Sequence, residues 1–228
     1  MKTGMTIAVL GATGMVGSRV VTEARARGHR VLALSRKPAS DDPGVTPIAV
    51  DATDYHALHD ALAGSAAHRA ADAVVLTIRT EPADREFLVG ATRTVLDLTA
   101  QLGIRVLVVG GAGALRSPDD PDLLVADNPA YVPAEVQAVA AAGVAQLRTC
   151  QAHAGADWVY LGPPALLETG ERTGRYRRGT DTLLTDADGR SWISAEDLAV
   201  AVLDELGAPG PERLVTVVHR DAGSQTSS

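Results

Sequence analysis

The chain predicts a doubly wound α/β fold, a mostly parallel sheet with helices on both faces, and three observations carry that prediction. Residues 6–17 read TIAVLGATGMVG, a strand that enters a helix through glycines. The strand-like runs are continuously apolar instead of alternating, as befits strands covered on both faces. These runs also take turns with amphipathic helical segments along most of the chain, the pattern of a parallel sheet with crossover helices.

Strand 7–10 passes through Gly11, Gly14 and Gly17 into helix 16–27, amphipathic through Arg19, Val20, Val21, Ala24 and Ala26. Strand 30–34 ends in Ser35-Arg36-Lys37-Pro38, and strand 47–50 ends in Asp51-Ala52 before helix 55–62. Strand 73–78 precedes helix 84–102, with Gly103 as its stop, and strand 105–109 runs into Gly110-Gly111-Ala112-Gly113. Residues 114–133, rich in Pro and Asp, are too long for a simple connection and predict a functional loop or lid. Helix 134–153 leads to strand 158–161, ended by Gly162-Pro163-Pro164. Ser194 with Asp197 three residues on resembles a capping box for helix 195–206, which Gly207 stops before strand 214–218. This reads as one domain over 1–220, with a substrate-side insert at 162–192 and a polar, disordered tail at 221–228.

With 228 residues, 46 % of them hydrophobic, the chain can bury a large core. Its formal charge of −7 disfavours general nucleic-acid binding. No apolar run reaches the roughly 18 to 20 residues of a membrane span, and no cleavable signal pattern is visible, so a cytoplasmic protein is expected. The single cysteine, Cys150, lies in a helical stretch and reads as a small buried residue rather than a nucleophile.

Glycines between a strand and a helix let the backbone approach a pyrophosphate, and the helix N-terminus offers N–H groups and partial positive charge. The turn therefore predicts a dinucleotide site through Gly11, Thr13, Gly14, Met15, Val16 and Gly17. An NAD-type site places a carboxylate at the end of the second strand; here Arg36 and Lys37 stand there instead. Two cations suit the extra phosphate of NADP, so NADP(H) is expected over NAD(H), the competing reading being a solvated basic turn. Lys2 and Lys37 are the only lysines of the chain.

Ligands of open α/β sheets gather at the carboxyl ends of the strands. Those ends supply Asp51 and Ala52 for the adenine, then Thr77, Ile78 and Arg79, then Gly110 and Gly111, and Pro163 as further cofactor contacts. The missing side chains of Gly111, Ala112 and Gly113 leave room beside a flat ring. His153 precedes strand 158–161, near the opposite edge, and is assigned no acid–base role; His56 and His59 have no third metal ligand in view.

GATGMVG, SRKP, Asp51-Ala52, GGAGAL from Gly110, Asp157-Trp158, GERTGRYRRGTDTLLTDADG from Gly170 and ISAEDLAVAVLDEL from Ile193 together resemble the atypical short-chain dehydrogenase/reductases. Within that group they are most similar to the NADH-flavin reductases, relatives of biliverdin reductase B and the NmrA-like proteins, from Met5 to about Val218. The resemblance implies a Rossmann domain that binds NADP and passes hydride to a flavin or similar flat acceptor, with flavin as a substrate rather than a tightly held cofactor. A non-catalytic NADP-binding sensor of the NmrA kind is the alternative.

Short-chain dehydrogenases acting on alcohols commonly use a Tyr followed four residues later by Lys, which these two lysines cannot supply; Tyr131 has Glu135 at that position. A flavin-type acceptor needs less, because its own ring takes the hydride. On the acceptor side the expected residues are Gly111, Ala112, Gly113, Tyr131, Pro164, Arg172 and Tyr176, with Arg172 binding an anionic group or fixing its loop and Tyr176 as an amphipathic wall. The expected partner is a small-molecule acceptor, without nucleic acid or membrane, in a monomer or homodimer.

Overall fold

The computed structural model describes residues 4–186 and 188–220; the tail expected to be disordered lies outside the described residues. Its main sheet has eight strands: β1 (Thr6–Leu10), β2 (Arg30–Ser35), β3 (Val45–Ala49), β4 (Ala73–Leu76), β5 (Arg105–Val109), β6 (Trp158–Gly162), β8 (Tyr176–Gly179) and β10 (Leu214–His219). They lie in the order β3-β2-β1-β4-β5-β6-β10-β8, all parallel except β8, which runs antiparallel to β10 at the edge. Two short strands, β7 (Leu166–Glu168) and β9 (Trp192–Ser194), pair in parallel as a second sheet. The helices are α1 (Met15–Ala26), α2 (Tyr55–Ala63), α3 (Arg85–Leu102), α4 (Gln137–Ala152) and α5 (Ala195–Gly207).

The layers follow from strand alternation. Ile7 and Val9 of β1 face a core shared with Val20, Ala24, Leu198 and Val202 of α1 and α5. Ala8 and Leu10 face the other core, with Leu58, Leu62, Val95, Leu96, Leu147 and Cys150 of α2, α3 and α4. Because both faces are buried, β1 shows no alternation in hydrophobicity, which is why continuous apolar runs located the strands. Pro47 is accommodated because β3 is an edge strand, exposed on alternate residues.

Two helix termini match their sequence signals. Gly103 adopts φ +66° in the left-handed cap of α3, and the Ser194 hydroxyl accepts the Asp197 N–H at the start of α5. Asp197 does not complete a capping box. Its buried carboxylate instead accepts the N–H groups of Thr173 and Gly174 at 2.8 and 2.7 Å and the Thr173 hydroxyl.

Residues 114–133 are not a lid. Leu115 and Val125 bury completely against Leu183, Arg116 pairs with Asp181, and none of the segment borders the cleft described below. Apolar side chains scattered among its prolines and aspartates give it a small core of its own.

Candidate functional site

A cleft of about 1390 Å³ opens along the carboxyl ends of β1, β2, β4, β5 and β6. It straddles the point between β1 and β4 where the sheet changes direction, the usual ligand position in such sheets.

Gly11 leaves β1 with φ +90°, a conformation that side chains rarely adopt. A Cβ there would also lie 2.8 Å from the Thr77 carbonyl oxygen. The turn is held by Gly11 and Ala12 N–H groups donating to the Leu34 carbonyl at 3.0 and 3.2 Å, and by Gly14 N–H donating to Gly11 at 2.9 Å. Gly14 then caps α1 without a side-chain hydrogen bond, and the first turn carries no carboxylate. The helix therefore presents its N-terminal N–H groups and partial positive charge to the cleft without an internal counter-charge, an arrangement that fits an anion. Thr13, Gly14, Met15 and Val16 all line it.

Gly17 does not. A Cβ on it would meet the Gly11 carbonyl oxygen at 2.1 Å, so this buried glycine lets α1 pack onto the turn.

Arg36 and Lys37 follow β2, exposed at the cleft, and Ser35 behind them lines it with a buried hydroxyl that has no partner among the described residues. Asp51 and Ala52 follow β3. The Asp51 carboxylate accepts the backbone N–H and hydroxyl of Thr53 at 2.9 and 2.7 Å. These bonds, with a smaller contribution from Arg36, hold its pKa below the usual carboxylate value.

Thr77 sits at the junction of β4 and β1, its N–H and hydroxyl both donating to the Leu10 carbonyl, at 2.9 and 3.2 Å. Beyond it Ile78, Arg79 and Thr80 line the cleft. Thr80 accepts the Asp84 N–H at 2.6 Å and Asp84 in turn caps α3 through the Phe87 N–H at 2.9 Å, which brings the single Phe of the chain to the cleft wall.

Gly110 and Gly111 follow β5, and Pro163, Pro164 and Ala165 follow β6. The two glycines differ. A Cβ on Gly110 would overlap the Tyr160 ring, whereas one on Gly111 would meet nothing within 4 Å, so the protein itself does not require glycine there. Ala112 also lines the cleft.

Four expected acceptor-side residues lie elsewhere. Gly113 is buried against α4, where a Cβ would sit 2.9 Å from that of Ala140. Tyr131 packs half-buried beside Leu115, Val125 and Leu183, its pKa raised by burial and by Asp119. Arg172 pairs with Glu23 of α1 at 2.7 Å, and the Tyr176 hydroxyl donates to Asp204 of α5 at 2.6 Å. Their segment leaves the cleft once β7 has paired with β9, and Glu23 of α1 with Asp197 and Asp204 of α5 hold it against those helices. Conversely, Ser35, Thr80, Pro82, Phe87, Val139 and Leu167 line the cleft without having been singled out. Ser35 begins the SRKP signal and could have been named; the others reach the cleft through loop geometry and helix packing that have no local signature.

Cys150 is fully buried and its thiol is pushed up to about 12 by burial, so it is a core residue. His153 accepts the Ala156 N–H and contacts Asp97 beyond the end of α4.

The parallel sheet in 3-2-1-4-5-6 order, its glycine turn and an uncapped helix N-terminus define a dinucleotide-binding protein of the Rossmann class. A family model described as NAD(P)H-binding matches residues 11–209, and the chain belongs to that family. YwnB, an uncharacterized protein of Bacillus subtilis (strain 168), is 32 % identical over 208 residues, which are 90 % of this chain and 93 % of that one. A Burkholderia pseudomallei structure named “putative exported protein” is 35 % identical with a TM-score of 0.83, covering 94 % of this chain and all of that one. A Streptococcus pneumoniae TIGR4 structure named “putative NADH-flavin reductase” is 27 % identical with a TM-score of 0.78, covering 95 % of this chain and all of that one. Among the described residues no helix is long and apolar enough to cross a membrane.

Proposed function

We propose that the protein is an NADPH-dependent oxidoreductase that reduces a flavin or a similar flat acceptor. The observation that carries the reading is the cleft: at about 1390 Å³ it exceeds the roughly 300–1,000 Å³ of most small-molecule sites, as a site for a dinucleotide together with an acceptor would. Its lining is mixed. Beside α1 it offers backbone N–H groups, Arg36 and Lys37; elsewhere it offers Phe87, Val139, Pro164 and Leu167 alongside Arg79, Thr80, Asp84, Arg85 and Glu86.

On this reading the N-terminus of α1 would hold the pyrophosphate, Arg36 and Lys37 the 2′-phosphate, and Asp51 with Ala52 would border the adenine. Thr77 and Gly111 would flank the nicotinamide, and Phe87, Val139, Pro164 and Leu167 would pack against the acceptor and exclude water from it. Bound NADPH supplies the hydride. Ser35, with its unpartnered hydroxyl at the end of β2, is a further hydrogen-bonding group for the nucleotide. Two observations support the reading further: the family is NAD(P)H-binding, and a relative of matching length carries a flavin reductase name. A cytoplasmic location follows from such a cofactor as part of the same proposal.

Steady-state NADPH oxidation with FMN and riboflavin tests it. Turnover with either flavin and a lower KM for NADPH than for NADH are expected. Tight NADPH binding without turnover of any flat acceptor would favour a nucleotide sensor instead.

A further inference from the structure

We infer that Tyr160 is a positioning residue for the reacting end of the cleft, fixing the Gly110–Gly111 turn from behind so that Gly111 presents a flat, constant wall to the bound ring. The inference rests on the proposed nicotinamide and acceptor site.

Tyr160 lies on β6, register partner of Val108 on β5, and is wholly buried. Its ring fills the space that a side chain at residue 110 would need: a Cβ on Gly110 would lie 1.8 Å from Cζ and 1.9 Å from the phenolic oxygen. The hydroxyl accepts the Gly111 N–H at 3.1 Å and donates to the Gly143 carbonyl of α4 at 3.1 Å. A hydroxyl has one proton to give, and here it is committed to a backbone carbonyl. Burial pushes the phenol's pKa far up, with no basic neighbour to reverse it, so Tyr160 keeps that proton and is neither acid nor base.

What remains is geometry. The ring alone would satisfy the packing, and phenylalanine would supply it; the hydroxyl adds a tie between the end of β5 and α4. α4 lies close at this point: a Cβ on Gly143 would stand 3.7 Å from the Gly111 Cα, in ordinary van der Waals contact. Gly111 is thus tethered at its back through N–H and open at its front, where nothing lies within 4 Å of an added Cβ. A turn held in this way sets where the ring plane rests against it, and small misplacements of reacting groups can slow a reaction by up to about 100-fold.

Tyr160→Phe, made in the full chain, removes the tie and keeps the ring. We expect NADPH affinity, read by titration, to stay within about twofold, because the phosphate contacts are remote, while kcat with saturating FMN falls about tenfold. The fluorescence of bound NADPH should shift toward that of the free nucleotide, a readout of nicotinamide surroundings that needs no turnover and therefore separates this inference from the reductase reading. In a Gly111→Ala background the same substitution should cost far less than in wild type, since contacting residues do not add. Unchanged kcat and emission, additive effects, or a loss of NADPH affinity beyond tenfold would each overturn the inference. Should Tyr160→Phe not fold, Gly111→Ala decides alone: it has space to fold, and wild-type kcat and emission in it would overturn the role of this turn.

Discussion

Arg172 closes on Glu23 through two hydrogen bonds, Nε to Oε2 at 2.7 Å and Nη2 to Oε1 at 2.8 Å, joining residues 149 apart in sequence. Glu23 is buried and also accepts from Arg27 at 2.7 Å, and Arg27 continues to Asp204, whose second oxygen accepts the Tyr176 hydroxyl. The network ties segment 170–176 onto α1 and α5. Arg172→Ala should therefore lower stability by about 1–2 kcal/mol, less than the roughly 1.5–3 kcal/mol of a buried charge-assisted hydrogen bond because the Arg172 side chain is half exposed to solvent. Denaturant midpoints measure this. NADPH affinity should not change, and a KM rise specific to FMN over riboflavin would return Arg172 to the acceptor.

Acid stability should fall in two stages. Burial and Arg27 hold the His29 imidazole below its ordinary 6.5, so the unfolded chain takes up that proton first and stability declines as pH drops through about 6.5. Glu23 is held below its ordinary 4.5 by Arg172, against the opposing effect of burial. Its contribution is present above 4.5 and disappears as pH falls toward its folded value. Unfolding free energies measured from pH 8 to 3 should show His29→Asn flattening the upper stage and Glu23→Gln the lower. Profiles parallel to wild type would refute the assignment.

The end of the cleft beside α1 was legible because each of its signals is local. Gly11 and Gly14 stand between an unmistakable strand and helix, and Arg36, Lys37, Asp51 and Thr77 each end a strand, so topology alone brings them to one edge. Gly17 is recognisable as part of the motif, but only coordinates show its missing Cβ facing the Gly11 carbonyl. The rest of the cleft was not legible. Phe87 depends on the Thr80–Asp84 cap and Val139 on how α4 approaches, while Arg172 and Tyr176 were placed by proximity to Pro163-Pro164 when distant carboxylates decide their position. Short strands such as β7, β8 and β9 were missed because three or four residues carry too little periodicity to stand out.

Two glycines of one motif should fail in opposite ways. Gly17→Ala places a methyl group 2.1 Å from a backbone oxygen, which cannot move without shifting α1 off the sheet, so a loss of about 2 kcal/mol or more in stability is expected. Gly14 has only the Gly11 oxygen near an added Cβ, at 3.2 Å, and its φ of −74° suits any residue. Gly14→Val should fold yet lose NADPH and NADH alike, because the side chain occupies the approach to the α1 N-terminus. Thermal melts and nucleotide titrations on both variants check this; normal nucleotide binding by folded Gly14→Val would make that glycine a packing residue.

Cofactor preference should reside in Arg36. Its guanidinium makes no direct ion pair among the described residues, and Asp51, whose carboxylate it helps to keep ionised, is engaged by Thr53. The cation is therefore available to a phosphate, and its planar fork suits that group better than the Lys37 point charge. Arg36→Ala should weaken NADPH by about 1.5–3 kcal/mol, the range for hydrogen bonds to charged groups, while NADH, which lacks the 2′-phosphate, changes little. Lys37→Ala should cost less and depend more on salt, since it acts chiefly through screened charge. Parallel titrations of the two nucleotides at low and moderate ionic strength decide the matter. Equal losses for both, or a wild-type preference for NADH, would reduce Arg36 and Lys37 to a solvated turn.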